Sequence, residues 1–237
     1  MIYALSDLHL TFQVEKPMDV FGSSWENYVE RMEKNWRERV KETDTVLIPG
    51  DVSWATYLEQ AEKDFRFIDS LPGTKYISKG NHDYWWETVT KMNAFLDVHK
   101  FSTLHFVHNS AFEAENAVVC ATKGFDKDTE ERLKNRELIR LENSILAGKK
   151  LSEEKPIIVM LHYPPFYKNG APITEITDML EKYEVKTTIF GHIHNDNHAC
   201  PINEVRGGVH YMLVSCDRID FSPVRVAINE KLCYNTD

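Results

Sequence analysis

The chain has 237 residues, 42% hydrophobic and 27% charged, the balance of a globular protein and not of a disordered one. A chain of this length buries a core without disulfides or a structural metal, and one domain spanning residues 1–237 is expected. Its net charge of −9 argues against non-specific adhesion to duplex nucleic acid or anionic lipid, yet leaves room for a phosphate-bearing substrate at a locally positive site. No apolar run approaches the roughly 18 residues of a membrane span, and no basic-then-apolar leader opens the sequence. The four cysteines, Cys120, Cys200, Cys216 and Cys233, are widely spaced without a Cys-x-x-Cys. Buried, reduced thiols in a cytoplasmic protein are expected.

In chain order, Ile2 to Leu5 reads as a buried strand that runs into Asp7-Leu8-His9. Phe12 to Ser24, with Pro17 and Gly22, reads as a loop, either a rim over a site or ordinary surface. Trp25, Tyr28, Val29, Met32 and Trp36 recur at helical spacing behind a capping box, Ser23-Ser24-Trp25-Glu26. A strand at Val46 to Ile48 precedes Gly50-Asp51, and a helical stripe of Leu58, Ala61, Phe65 and Ile68 follows. Tyr76 to Ser78 is a strand before Gly80-Asn81-His82-Asp83; Val89, Met92 and Leu96 mark a further helix. Val118 to Thr122 is a strand, and a long charged helix over Thr129 to Ala147 is expected to stop at Gly148. Ile157 to Leu161 leads into His162. After a helix marked by Ile176, Met179, Leu180 and Tyr183, Thr187 to Phe190 leads into Gly191-His192-Ile193-His194. Strands at Tyr211 to Val214 and Val224 to Ile228 complete an α/β pattern, two sheets packed together with helices outside.

Five of these runs end in Asp, Asn or His, which bind hard and borderline metals through oxygen or imidazole nitrogen. Residues i and i+2 of an extended chain point to one side, so Asp7 and His9 reach one point, as do His192 and His194. Gly50, Gly80 and Gly191 each stand just before such a residue and let the chain turn sharply off its strand. Ligand sites in open α/β sheets lie outside the carboxyl ends of the strands, where these residues fall.

The ordered blocks Asp7-x-His9, Gly50-Asp51, Gly80-Asn81-His82-Asp83, His162 and Gly191-His192-x-His194 resemble those of the calcineurin-like metallophosphoesterases. The resemblance implies a four-layer α/β/β/α sandwich of two mixed β-sheets flanked by helices, with a two-metal centre. It implies that Asp7, His9, Asp51 and His194 hold one ion and that Asp51, Asn81, His162 and His192 hold the other, with Asp51 bridging. It further implies that His82 is the catalytic histidine, facing the substrate phosphate, and that Asp83 orients it. Gly50-Asp51 continues as Val52-Ser53-Trp54-Ala55, without the Val-Asp-Arg-Gly element of the protein phosphatases. His82 stands where the lipid A pathway hydrolases carry Arg. The blocks look most like a bacterial group of predicted phosphohydrolases.

Two metals roughly 3.5–4 Å apart would share a hydroxide that attacks phosphorus in line, while His82 aids the leaving oxygen. Two divalent ions outweigh Asp7, Asp51 and one hydroxide, so an acidic chain still presents a positive centre. His, Asp and Asn ligation without thiolate favours Mn or an Fe/Mn pair, with Zn as a further option. The expected partner is a small phosphate ester, nucleotide-like in one reading, and a diester is favoured over a monoester. The alternative of a different class is a catalytically inactive metal-binding scaffold, which predicts missing ligands or a missing histidine; both are present here.

Trp54, Trp85 and Trp86 either stack a flat group beside the site or pack at the start of a helix. Arg132, Arg136 and Arg140, at i, i+4 spacing, either clamp a phosphate or form a salt-bridged face with Glu131, Glu137 and Glu142. His99, His105, His108, His198 and His210 match no ligand block and read as structural. Asp217-Arg218 lies either at the edge of the site or in a surface turn.

Overall fold

A computed structural model describes residues 1–194 and 203–228. The strands are β1 (Ile2–Ala4), β2 (Thr45–Ile48), β3 (Thr74–Ile77), β4 (Leu104–Phe106), β5 (Ser110–Ala114), β6 (Ala117–Thr122), β7 (Ile157–Leu161), β8 (Thr187–Phe190), β9 (Asn203–Arg206), β10 (Val209–Leu213) and β11 (Val224–Arg225). The helices are α1 (Tyr28–Arg39), α2 (Glu62–Asp69), α3 (Val89–His99), α4 (Glu131–Leu151) and α5 (Thr174–Lys182). One sheet runs β11-β1-β2-β3-β4 and is parallel apart from the β11 edge. The other runs β5-β6-β7-β8-β10-β9, parallel at its centre with antiparallel edges.

The central strands read as unbroken apolar runs because both of their faces are covered. Ile2, Ala4 and Leu47 of the first sheet meet Val119, Ile158, Met160 and Ile189 of the second, forming the layer between the sheets. Leu5, Val46, Ile48 and Ile77 face outward onto Trp36, Phe65 and Leu96 of the first three helices. Val159, Leu161, Phe190 and Tyr211 face Leu141, Ile145, Ile176 and Leu180 of α4 and α5. The result is the α/β/β/α layering of two mixed sheets.

Register places the strand ends side by side: Ala4 lies opposite Leu47, Leu47 opposite Tyr76, and Leu161 opposite Phe190. The two sheets join at that same end through a parallel bridge between Ser6 and Ser215, where Ser6 N donates to Val214 O at 2.8 Å.

Three local expectations need correction. Ser23–Trp25 is a 3-10 turn, and α1 starts only after Asn27, whose φ of 49° breaks the helix so that Trp25 turns toward the strand ends. Helix α4 runs through Gly148 to Leu151, and Gly148 is a contact point, since a Cβ there would lie 2.6 Å from Cys120 Sγ. The last strand ends at Arg225 and does not reach Ile228. Among the described residues, no helix is long and apolar enough to cross a membrane. Cys200 and Cys233 lie outside the described residues; Cys120 and Cys216 are buried free thiols.

Candidate metal centre

At the strand ends the backbone itself is under constraint. Asp7 (φ 59°), His9 (φ 47°), Asp51 (φ 52°) and His192 (φ 72°) all occupy the left-handed region, which costs energy for a residue with a Cβ. Hydrogen bonds hold them there. Asp7 N donates to Gly50 O at 3.1 Å, and His9 N to Asp51 O at 3.0 Å. His192 N donates to both carboxylate oxygens of Asp7 at 3.0 Å. Gly50 and Gly80 lie back to back with no room for a Cβ on either, so these two loops can meet only as glycines.

Two donor sets result. In the first, His9 Nε2 lies 3.2 Å from His194 Nε2, which lies 3.8 Å from Asp7 Oδ1. In the second, Asn81 Oδ1 lies 2.6 Å from His162 Nε2 and 2.9 Å from His192 Nδ1. Asp51 faces both sets, its Oδ2 being 4.0 Å from His9 Nε2 and 3.6 Å from His162 Nε2. The seven side chains that the sequence offered as ligands are therefore together.

The donor chemistry fits cations. His162 Nδ1 donates to Pro49 O at 2.9 Å, and His194 Nδ1 to Asp217 Oδ1 at 2.8 Å. Each tautomer leaves an Nε2 lone pair aimed inward, as in histidine ligands whose other nitrogen is held by an outer partner. His9 is held by stacking instead: its Nδ1 has no partner, and its ring lies on Trp54 at 4.8 Å and 18°. Two imidazole lone pairs facing each other at 3.2 Å repel unless a cation or proton lies between them. Burial, with nearby Asp83 and Asp7, pushes the Asp51 carboxyl well above its usual range. Burial likewise drives His162 down to about 4 and His192 to about 3, and holds His9 well below an ordinary imidazole. At His194 burial opposes protonation, but the bond to Asp217 and the charges of Asp7 and Asp217 outweigh it and raise the pKa. Among the described residues, no Lys or Arg pairs with Asp7 or Asp51. Buried carboxylates among neutral imidazoles without a counter-cation are the donor set of divalent metals.

His82 lies beside this cage. Its backbone N donates to Asp51 Oδ1 at 2.8 Å, and its ring lies 4.5 Å from that of Trp54. Burial and then Lys16 lower its pKa. Asp83 makes no hydrogen bond to that ring. Its carboxylate accepts from Gly80 N (2.7 Å), Asp51 N (2.9 Å), Val52 N (2.9 Å) and Trp85 Nε1 (3.1 Å), because these donors would otherwise be buried unpaired. Asp83 thus ties the Asn81 loop to the Asp51 loop, and burial raises its own pKa to about 6.

The aromatic wall differs from the one expected. Trp85 is core, packed edge-on against Phe65, and Trp86 lies against Phe106; of these three tryptophans only Trp54 reaches the site. Trp25, which opens the helical stripe read from the sequence, is a core residue whose ring also lies 5.7 Å from that of His194. The loop before α1 is a rim: Met18 and Phe21 line a cavity of about 360 Å³ with Trp25, Trp54 and the cage histidines. Lys16 lies over Trp54, with Nζ 2.8 Å from the ring centre. Arg132 and Arg136 are exposed, and Arg140 pairs with the buried Glu137, so this row does not line the cavity. His99 packs on Phe95, His105 stacks on Tyr76, His108 lies by Trp86, and His210 bonds Asn203; His198 lies outside the described residues. Asp217 is the site residue that the sequence left open; its signal was a position just past a strand end, as for the ligands.

The sequence profile of the calcineurin-like phosphoesterases matches residues 1–196, and the chain belongs to that family. It is a phosphoric ester hydrolase. A 3′,5′-cyclic-nucleotide phosphodiesterase from Nostoc sp. is 24% identical over 98% of this chain and 84% of its own length. Among solved structures, TT1561 of Thermus thermophilus superposes with a TM-score of 0.61 at 14% identity, covering 90% of this chain and 88% of that one. AQ665 from Aquifex aeolicus, a protein of unknown function, gives 0.53 at 16% identity over 94% of each chain. These two share the fold.

Proposed function

We propose that the chain is a binuclear metal-dependent phosphodiesterase acting on a small phosphate ester. The observation that carries this reading is the single carboxylate of Asp51 facing two complete donor sets. One ion would be held by Asp7, His9, Asp51 and His194, the other by Asp51, Asn81, His162 and His192. When bound, such ions supply a nucleophile at neutral pH and neutralise phosphoryl oxygens; the donor set suits Mn or Fe/Mn, with Zn a further option. His82 meets the leaving oxygen. Its lowered pKa keeps the ring neutral at neutral pH, so it donates a hydrogen bond through its N–H, and Asp51 fixes its backbone. Asp83 acts one step back, holding the two loops in register.

Two cavities share His192: the one beside His82, and one of about 130 Å³ whose lining includes Phe125, Asp126, Lys127, Phe166 and Lys168. The diester preference is supported by the likeness to a 3′,5′-cyclic-nucleotide phosphodiesterase. The buried thiols of Cys120 and Cys216 support a reducing compartment such as the cytoplasm.

The test compares bis-p-nitrophenyl phosphate with p-nitrophenyl phosphate in Mn-loaded enzyme, before and after chelation, with elemental analysis. Turnover of the diester should exceed that of the monoester and vanish with the metal. His82→Ala should keep its metal and lose about 100-fold or more in kcat, whereas Asp51→Ala should lose metal too. Full activity in His82→Ala on activated and unactivated esters alike would remove its role.

A further inference from the structure

The larger cavity at the cage has a composition that the metal chemistry does not require. Its floor is the cage and His82, but its walls are Met18, Phe21, Trp25 and Trp54, which carry no hydroxyl, amide or charge of their own, with the Lys16 ammonium lying over the Trp54 ring. Met18 and Trp25 are nearly fully buried, and the indole N–H of Trp54 already donates to Met18 Sδ at 3.1 Å. Phe21, by contrast, is 52% exposed, and its neighbour Val20 is 71% exposed. A pair of large apolar side chains left in water on a short 3-10 turn is costly unless something covers them. Of the two, Phe21 lines the cavity over the candidate metal centre.

We propose that this cavity receives the leaving group of the phosphoester, and that the group it selects is flat and apolar. An aryl group or the face of a heterocycle matches these walls better than a sugar or a peptide does. A polyhydroxylated group would lose water hydrogen bonds that Met, Phe and Trp walls cannot replace. A ring makes broad contact with such walls and loses little rotamer entropy. His82, on the floor of the same cavity, places the leaving oxygen at the cavity's inner end, and the ring behind that oxygen reaches Phe21 at the lip. Selection is by the face of the ring rather than by its polar edge, so rings with different edge substituents are accepted alike.

The inference rests on the phosphoesterase reading, and the experiment separates the two. Isothermal titration of the intact Mn-loaded protein compares phenylphosphonate with methylphosphonate, which share the metal-binding group and differ only in the arm. The wild type should bind phenylphosphonate about tenfold more tightly. Phe21→Ser, a change at a half-exposed position, should reduce that preference to about threefold or less while leaving methylphosphonate affinity within about twofold. Phe21→Trp should retain the preference. Equal affinities in the wild type, or a preference unmoved by Phe21→Ser, would overturn the proposal while methylphosphonate binding still upheld the metal site. Failure of both phosphonates to bind would remove the phosphoester reading and this inference with it.

Discussion

Asp217 touches no expected metal, yet it decides which nitrogen of His194 faces the cage. Its Oδ1 takes the Nδ1 proton at 2.8 Å, and its charge strengthens the ring as a donor. Asp217→Asn keeps the volume and loses the charge, so Mn affinity measured by titration should fall about 10–100-fold, with the fold unchanged by circular dichroism. A second residue, Asp64, makes a prediction away from the cage. Its carboxylate accepts from Phe12 N at 2.9 Å and from the Ser53 hydroxyl, joining the rim loop to the Asp51 loop, and burial raises its pKa to about 6. The folded state therefore binds this proton more tightly than the unfolded state, whose carboxyl titrates near 4. Between those values the native state holds more protons, so this group's contribution to stability is present at about pH 4 and is lost as pH rises through about 6. Asp64→Asn abolishes that dependence. Relative to the wild type it should gain on the order of 2–3 kcal/mol between about pH 4 and pH 7 in urea unfolding. A constant difference across that range would show that Asp64 titrates normally in the fold.

Helix α4 covers the outer face of the second sheet, and its closest approach is made at Gly148. A glycine inside a helix costs about 1 kcal/mol relative to alanine, so propensity alone predicts that Gly148→Ala stabilises. Packing predicts the reverse, since the added Cβ would lie 2.6 Å from Cys120 Sγ and 3.0 Å from Val118 Cγ1. Both neighbours belong to a fully buried strand that cannot give way. Overpacking should win, with a net loss of about 1–3 kcal/mol in denaturant unfolding. The same residue shows what the sequence could not say. Periodicity marks α4 well, but a glycine near a helix end reads as a stop unless the strand beneath it is known. The central strands were legible because both faces are apolar; β4, β5 and β9 were not, because they are edge or near-edge strands with half-exposed side chains. Asp7, His9, Asp51, Asn81, His162, His192 and His194 were legible as a set because each follows an apolar run, and strand register alone then brings them together. The loop-joining bonds of Asp83 were not legible because three of their four donors are backbone N–H groups, which leave no mark in a sequence. Trp25 is both core and cavity wall, and the second role was not legible because a helical stripe looks the same whether or not its first aromatic also borders a cavity.

Across the whole molecule the cage lies on the seam between the two sheets. Asp7, His9, Asp51 and Asn81 come from the ends of the first sheet, and His162, His192 and His194 from the ends of the second. The backbone adds the Ser6 to Ser215 bridge at this end, and Gly191 N donates to His162 O at 3.1 Å. Without cations the seam holds buried carboxylates and inward-facing imidazole lone pairs that repel; the ions proposed above would turn it into a clamp across the sheets. Ligand that binds only the folded chain stabilises it by about 2.7 kcal/mol when present at 100 times its dissociation constant. Two ions bound as proposed would supply about 5 kcal/mol, and at about 2–4 °C per kcal/mol for a chain of this size the melting temperature should rise by about 10–20 °C on loading with Mn. Asp51→Ala, which takes the shared carboxylate from both sets, should lose more than half of that shift. Hydrogen exchange should localise the effect, with protection gained at the amides of Ser6, Gly191 and Cys216 and little change at the far ends of the strands. A melting temperature that stayed the same with and without chelator, in protein shown by elemental analysis to bind the metal, would mean that the ions sit elsewhere.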